Sequence, residues 1–243
     1  MLKPFFAAAL NLFFPPLCHV CRTYIPDAGE LHICHGCREL MPATAVPICT
    51  LCGIPFAGAG NDHVCGSCSR VPPRFDAARA ALAYEGASRD LIHAFKYRNK
   101  THLRRPLALL TLERLSGFIL SRRPDLIMPV PLHRKKLASR GFNQAVLLGE
   151  IISQRLEIAL DRHNLRRIRW TEPQVNLSAG DRRANVKGAF EVHGNAVVKG
   201  SRVLLLDDVL TTGSTAEECG RVLKAAGAAD VTVITVARAL AWQ

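Results

Sequence analysis

Two adjacent carboxylates, Asp207 and Asp208, stand between four apolar residues and a short run of threonine, glycine and serine. The apolar residues predict a buried strand, and a helical pattern follows from about Ser214 to Ala226. A turn of this composition at a helix N-terminus offers unpaired N–H groups and a positive dipole end to an anion. Carboxylates at the mouth of an open α/β sheet lie where such sheets bind ligands. The segment from Val203 to Thr215 therefore favours a ligand with a phosphate beside vicinal hydroxyls, such as a ribose phosphate.

The same local order also has a purely structural interpretation. Strand, aspartate, turn and helix follow one another in many α/β domains, where the acid is an ordinary loop residue. In that case Thr212 or Ser214 would do no more than cap the helix. The spacing alone does not decide between these two interpretations.

A basic segment, residues 133–144, follows another short predicted strand. It carries Arg134, Lys135, Lys136 and Arg140 just before the start of a helix. Fixed cations in such a place could hold a second anionic group and stabilise the charge that develops on a departing pyrophosphate. A solvated basic turn is the alternative interpretation.

The stretch from Arg169 to Phe190 is polar, long and without clear periodicity until its end. Long loops of this kind in compact domains usually have a function or are mobile. We predict that this stretch forms a lid that closes over a reactive, water-sensitive intermediate.

Eight of the nine cysteines form four Cys-x-x-Cys pairs, and twelve residues separate the first pair from the second and the third from the fourth. Two such pairs supply the tetrahedral sulfur coordination that structural zinc prefers, so the spacing indicates a duplicated metal module. The simplest assignment, with interleaved pairing as the alternative, gives one zinc ion to Cys18, Cys21, Cys34 and Cys37 and a second to Cys49, Cys52, Cys65 and Cys68. An iron–sulfur cluster or a redox role would also use such pairs. Cys219 is expected to be a buried packing residue.

The composition excludes a disordered chain, because 49% of the 243 residues are hydrophobic. No apolar run reaches the roughly eighteen residues of a transmembrane helix, and the apolar start, broken by Asn11, lacks the cleavage site of a signal peptide. The net charge of +12 is concentrated in residues 71–200, which hold twenty-four basic and eleven acidic residues. Such local charge favours a polyanion, either a pyrophosphate-bearing substrate or nucleic acid.

Strand and helix patterns alternate after the cysteine-rich region, which predicts an α/β fold with an open, mostly parallel sheet and flanking helices. Besides the run at Val203, the expected strands are residues 77–84, 125–130 and 231–237, and the expected helices are residues 88–97, 103–120, 143–159 and 214–226. A Pro-rich segment at Val71 marks a boundary. We therefore expect an apolar helix in residues 1–17, a double zinc-ribbon module in residues 18–70 and the α/β domain in residues 71–243.

Several segments together resemble the ComF family of bacterial proteins, which are linked to DNA uptake in competence. The resemblance rests on the Phe-Phe-Pro-Pro-x-Cys start, the four cysteine pairs, Pro129–His133, Arg140–Gln144, Gln174, Leu177-Ser178, Asn185–Phe190 and Val203–Thr215. The last segment also resembles the signature with which type I phosphoribosyltransferases bind phosphoribosyl pyrophosphate (PRPP). The resemblance implies a type I phosphoribosyltransferase-like domain behind a zinc-ribbon module with four cysteines to each metal site.

The resemblance also implies a role for each part of the site. Asp207 and Asp208 would bind the ribose hydroxyls, and the 5-phosphate would lie against Thr211, Thr212, Gly213, Ser214 and Thr215. The basic residues Arg134, Lys135 and Arg140 occupy the place of the pyrophosphate loop. The stretch with Arg182, Arg183 and Lys187 matches the flexible catalytic loop of the glutamine-dependent PRPP amidotransferases, so these cations could reach the pyrophosphate. Mg²⁺ would enter with PRPP, held mainly by the substrate's oxygens.

Two functions follow as hypotheses. The first is a cytoplasmic phosphoribosyltransferase of unknown acceptor that supports DNA uptake or nucleotide-linked metabolism. The second is a PRPP-sensing module without catalysis. Its zinc ribbon and basic surface would bind single-stranded DNA or a protein of the competence machinery, such as a helicase.

Overall fold

The computed structural model describes residues 15–44, 47–58, 60–171 and 179–239, without the side chains of residues 179, 180, 182 and 195. The apolar helix expected in residues 1–17 lies almost wholly outside the described residues. Residues 172–178 of the polar stretch that was expected to form a lid also lie outside the described residues, and with them Gln174 and Leu177-Ser178.

A sheet of five parallel strands forms the centre of the fold, in the order β1-β7-β6-β2-β3. Its strands are β1 (Ala77–Ala83), β2 (Leu126–Pro129), β3 (Ala159–Leu160), β6 (Arg202–Leu210) and β7 (Asp230–Arg238). Two further strands, β4 (Leu165–Arg167) and β5 (Phe190–Val192), pair with each other in antiparallel orientation. The prediction of an open, mostly parallel α/β sheet is confirmed.

Nine helices accompany the strands in the described part of the chain. They are α1 (His35–Glu39), α2 (Gly66–Arg70), α3 (Gly86–Tyr97), α4 (Arg104–Arg122), α5 (Arg134–Arg140), α6 (Gln144–Leu156), α7 (Ala179–Val186), α8 (Asn195–Val198) and α9 (Ser214–Ala225). A short 3₁₀ turn, Thr101–Leu103, links α3 to α4. None of the described helices is long and apolar enough to cross a membrane.

Two hydrophobic clusters cover the two faces of the sheet, as the alternation of side chains along β6 illustrates. Leu204 and Leu206 belong to the cluster that includes residues of α3, α4 and α6. Val203 and Leu205 belong to the other cluster, which includes residues of α9 and of the small β4–β5 sheet. By the same alternation, the acids at positions 207 and 208 lie on opposite faces of β6.

Three differences between the observed and the expected elements concern the segments that carry candidate site residues. Strand β6 does not end at the acids but continues to Leu210, because β7 pairs with it as far as Arg238. The basic segment after β2 contains the helix α5 instead of a loop, since the His133 side chain accepts from the first turn and Gly141 ends the helix with φ +83°. The polar stretch before β5 contains the helix α7.

The cysteine-rich region extends the sheet at its outer strand, β1. The Ala78 N–H donates to the Leu51 carbonyl at 2.7 Å, and the Ala83 N–H donates to the Pro42 carbonyl at 3.0 Å. Ala43 also forms an antiparallel bridge with Leu82. The edge of β1, which would otherwise expose unpaired backbone groups, is therefore covered by the cysteine-rich region.

Candidate functional site

The acidic pair lies near the carboxyl end of β6, the strand that stands between β7 and β2 in the sheet. Asp208 is buried, and its N–H donates to the Asp207 carboxylate at 2.8 Å. The Lys96 ammonium, from the last turn of α3, forms an ion pair of 2.8 Å with Asp208. The positive charge that neutralises part of the acidic pair therefore comes from a helix that is distant in the sequence.

The charges of this cluster perturb one another strongly. Burial raises the pKa of Asp207 to about 7, and the neighbouring Asp208 charge acts in the same direction, while Lys96 and Arg167 oppose the rise. Burial alone would lower the pKa of Lys96, but the attraction of Asp208 and Asp207 raises it. A carboxyl group whose pKa lies this close to neutrality is typical of a functional site.

A turn for anion binding follows β6 directly. Gly213 adopts φ +81° immediately before α9, a conformation that glycine reaches without steric cost. The Thr212 and Ser214 hydroxyls are 2.9 Å apart. Helix α9 has twelve residues, so its first N–H groups and its dipole are directed at whatever lies against the turn.

Helix α5 brings cations and aromatic rings to the same edge of the sheet. The Arg140 guanidinium lies 5.0 Å from the centre of the Tyr97 ring, and the Lys135 ammonium lies 6.0 Å from that of Trp170. The Trp170 ring also contacts His133, with ring centres 5.3 Å apart. The positive charge and the aromatic surface are therefore side by side.

Asn143 fixes the helix that follows this segment. Its side-chain amide donates to the Val130 carbonyl at 3.0 Å and accepts from the Ala145 N–H at 2.9 Å. One residue thus connects the chain after β2 to the start of α6. The Arg140–Gln144 segment, noted in the sequence as a motif, has this structural role.

All these elements surround one cavity of about 530 Å³. Eight of the residues expected to form the PRPP site line it: Lys135, Arg140, Asp207, Asp208, Thr211, Gly213, Ser214 and Thr215. Thr212 reaches it only through its contact with Ser214. Two other expected site residues, Arg134 and Lys187, are described but do not line the cavity. The side chain of Arg182 is not described.

Two cations of the cavity, Lys96 and Arg167, were missed in the sequence. Lys96 lies four residues after Ile92, on the buried side of an amphipathic helix, and a lysine at such a position is a signal for a buried charge. Arg167 is on β4, where it hydrogen-bonds to Thr171 and lies 5.2 Å from the Phe190 ring centre. No local pattern distinguishes Arg167 from the arginines beside it.

The cysteines form two separate clusters, Cys18/Cys21/Cys34/Cys37 and Cys49/Cys52/Cys65/Cys68, in the simplest of the two assignments. Within each cluster the sulfur atoms lie within 4.8 Å of one another. The sulfurs of Cys21 and Cys34 are 3.6 Å apart, and those of Cys52 and Cys65 are 3.9 Å apart. Four thiolates around a zinc ion lie about 3.8 Å apart, given Zn–S bonds of about 2.3 Å in a tetrahedron. The donors therefore fit structural zinc, with no place for a fifth ligand that would react.

Backbone N–H groups point at the sulfurs in the same way in both clusters. Cys18 accepts from Cys34 at 3.4 Å, and Cys49 accepts from Cys65 at 3.3 Å. Burial would raise the pKa of Cys49, but N–H groups of Cys65, Cys52 and Leu51 together lower it to about 6. The two halves of the module are thus structural duplicates whose N–H groups stabilise thiolates.

Two arginines of the sheet contact the second cluster. The Arg238 guanidinium, on β7, donates to the Cys52 carbonyl at 2.6 Å, and Arg79, on β1, donates to the Thr50 carbonyl at 3.2 Å. Arg238 is buried, and it pairs in the sheet with Leu210, the residue before the anion-binding turn. The second cluster and the cavity are therefore attached to the same strand.

Comparison with known proteins gives the following likenesses. Residues 9–69 match the double zinc ribbon domain, and residues 143–241 match the phosphoribosyl transferase domain. The chain is 35% identical over 236 residues to the "DNA utilization protein YhgH" of Escherichia coli strain K12, which covers 94% of this chain and 100% of that relative. It is 38% identical over 156 residues to the "Competence protein F" of Haemophilus influenzae, with 61% and 67% covered. A purine phosphoribosyltransferase from Pyrococcus horikoshii aligns over 56% and 72% of the two chains at 23% identity, with a TM-score of 0.33.

Proposed function

The chain belongs to the ComF family, in which a double zinc ribbon precedes a phosphoribosyltransferase domain, and on that premise we propose that it binds PRPP in the cavity at the end of β6. The observation that carries the proposal is the convergence of three groups on one cavity. These are the acidic pair, the Thr211–Thr215 turn and the cations of α5. A ribose that carries a phosphate on one side and a diphosphate on the other matches this arrangement of charges.

Each group has a role in the proposed complex. The turn before α9 holds the 5-phosphate with N–H groups and hydroxyls. Asp207 and Asp208 accept from the ribose hydroxyls, and Lys135 and Arg140 face the diphosphate, with Arg134, Arg182 and Lys187 as further candidates. Mg²⁺ arrives with the substrate and neutralises part of its charge. The two four-cysteine clusters hold zinc and keep the ribbon folded.

The proposed reaction is a phosphoribosyl transfer. The bond between the anomeric carbon and the diphosphate oxygen breaks, and the electron pair leaves with the diphosphate. A nucleophilic acceptor then forms the new bond to that carbon and loses its proton to solvent. The chain contributes position and fixed charge, which suffices for a step without a protein nucleophile.

A second candidate function is binding of single-stranded DNA, which the cation–aromatic pairs at the cavity mouth favour. Lys135 with Trp170 and Arg140 with Tyr97 offer stacking surfaces beside positive charge. The names of the relatives, competence and DNA utilization, are compatible with this function. We propose with it that the protein acts in the cytoplasm, together with a protein partner such as a helicase.

The double variant Asp207→Asn/Asp208→Asn tests PRPP binding. We expect calorimetry with Mg·PRPP to show at least about tenfold weaker binding, or about 1.4 kcal/mol, because charge-assisted hydrogen bonds to the ribose are lost. The control is Asp90→Asn, since Asp90 is an exposed acid of α3 outside the cavity. Unchanged affinity in the double variant would refute the site.

Two further measurements separate the candidate functions. Release of pyrophosphate from PRPP, screened over candidate acceptors with and without single-stranded DNA, tests the transfer reaction. Neutralising the four cations of α5 should lower the affinity for an oligonucleotide and flatten its salt dependence if DNA lies on that helix. DNA affinity that does not change would exclude the helix as the contact.

A further inference from the structure

We propose that Lys96 is a positioning residue of the PRPP site, whose ammonium group holds the Asp208 carboxylate in place for the ribose and supplies the positive charge that the acidic pair faces. The proposal rests on the proposed function, because it assigns a task toward PRPP. It concerns a residue of α3, which lies outside the stretch that matches the phosphoribosyl transferase domain.

The position of Lys96 is set by the packing of α3. Ile92 and Phe95, one turn and one residue earlier, are completely buried in the cluster that α3 shares with the sheet. They anchor the last turn of the helix. The Lys96 side chain therefore lies in the cavity, and only 15% of its surface is exposed to solvent. A charge buried to this degree needs a partner, and the Asp208 carboxylate at 2.8 Å supplies it.

Lys96 is one of several charged groups that face the acids from the surrounding elements. Arg167 acts on Asp207 from β4, and Cys219 lies beside Asp207 on α9. Lys136 of α5 has its pKa lowered by burial and by Arg140, Arg167 and Lys96, while Asp208 opposes this effect. Tyr84 also faces Lys96. Of the described groups, Lys96 is the one in an ion pair with the acids, so its removal should change their charge most.

The direction of that change can be derived from the pKa of Asp207. This pKa is about 7, and the positive charge of Lys96 lowers it. Without Lys96 the pKa rises further, so the pair carries its second charge only at higher pH. If PRPP requires both charges, the pH at which affinity reaches half its maximum therefore moves upward.

A lysine with a merely structural role would behave differently. Removal of Lys96 leaves a buried carboxylate without its partner and so lowers stability in either role, but the loss of a merely structural lysine would not change the pH dependence of ligand binding. The pH profile, rather than stability or affinity at one pH, therefore discriminates between the two roles.

The experiment compares three substitutions of Lys96 with a control. Lys96→Met removes the charge, Lys96→Gln keeps a hydrogen-bond donor without charge, and Lys96→Arg keeps the charge. The control, Arg89→Met, removes an exposed cation of the same helix that does not line the cavity. Calorimetry with Mg·PRPP from pH 5.5 to 9 is expected to give an upward midpoint shift for Met and Gln. Lys96→Arg and the control should keep the midpoint of the unmodified protein. PRPP itself titrates in the same way in every measurement, so it does not cause a difference between variants.

A second measurement needs no PRPP and separates this proposal from the proposed function. In ligand-free protein labelled at the aspartate carboxyl carbons, the Asp207 resonance, assigned with Asp207→Asn, should titrate at higher pH in Lys96→Gln than in the unmodified protein. An equal titration in both proteins would overturn the role of Lys96, whatever PRPP does. A shifted titration in a protein that does not bind Mg·PRPP would instead refute the proposed function.

Discussion

Gly53 directly follows the third Cys-x-x-Cys pair and lies so close to β1 that no side chain fits there. Its φ is +70°, and a methyl group on its Cα would lie 2.3 Å from the Ala78 carbonyl oxygen. We expect Gly53→Ala to lower the free energy of unfolding by more than the about 1–3 kcal/mol of left-handed strain alone, because a backbone atom must also move. The measurement is urea denaturation of the zinc-loaded protein.

Gly29 offers the matched control within the same module. Its φ is +53°, but a methyl group there would meet nothing within 4 Å. Gly29→Ala should therefore show the cost of strain without the cost of the clash. Equal losses in the two variants would mean that the close approach of Gly53 to β1 has no energetic weight.

The residues of the site divide into those that a sequence can reveal and those that it cannot. The acids and the Thr211–Thr215 turn are contiguous, so their chemistry could be predicted from local order. The cysteines could also be predicted, because metal coordination fixes their spacing. Lys96 and Arg167 reach the same cavity only through the packing of α3 and β4 against distant strands, which no local pattern specifies.

Among the elements, α9 is the one whose packing depends most visibly on a single small residue. A methyl group at Gly220, within the helix, would lie 2.6 Å from the Arg74 carbonyl oxygen. We expect Gly220→Ala to destabilise the protein by about 1–3 kcal/mol despite the better helix propensity of alanine, because the helix must move away from residues 74–75. Thermal denaturation followed by circular dichroism measures the loss.

Gly117 in helix α4 provides a control for this substitution. A methyl group at Gly117, which is exposed, would have no atom within 4 Å. Gly117→Ala should stabilise the protein by up to about 1 kcal/mol, as alanine does in an open helix position. If both substitutions changed stability in the same direction, the close contact of α9 would not be the cause.

The long elements and the short strand β2 could be predicted, whereas most of the other short elements could not. The expected helices and strands with strong periodicity agree with α3, α4, α6, α9, β1 and β7 within a few residues. The helix expected in residues 143–159 ends earlier, at Leu156, because Glu157 adopts φ +57° and residues 159–160 pair with β2. Helix α5 was missed because seven residues with four cations have no apolar face, and its caps at His133 and Gly141 are its main local signal.

At the scale of the whole molecule, the ribbon and the sheet form a continuous hydrogen-bonded structure. Ala78 and Ala83 of β1 donate to the Leu51 and Pro42 carbonyls of the ribbon, and Arg238 of β7 donates to Cys52. Among the described residues of the ribbon, the buried hydrophobic ones other than cysteine are Ile33, Met41 and Ile48, so zinc supplies much of its folding free energy. The loss of zinc should therefore destabilise the adjoining edge of the sheet as well as the ribbon.

Amide hydrogen exchange can locate this effect. After zinc is removed with a chelator, the Ala78 and Ala83 amides should exchange at least about tenfold faster, because their acceptors leave with the unfolded ribbon. The Leu204 and Leu205 amides of the central strand β6, which is paired on both sides, are the internal control and should keep most of their protection. Unchanged exchange at Ala78 and Ala83 would mean that the ribbon keeps its contacts without metal. Faster exchange also at Leu204 and Leu205 would mean that zinc stabilises the sheet and the ribbon as one cooperative unit.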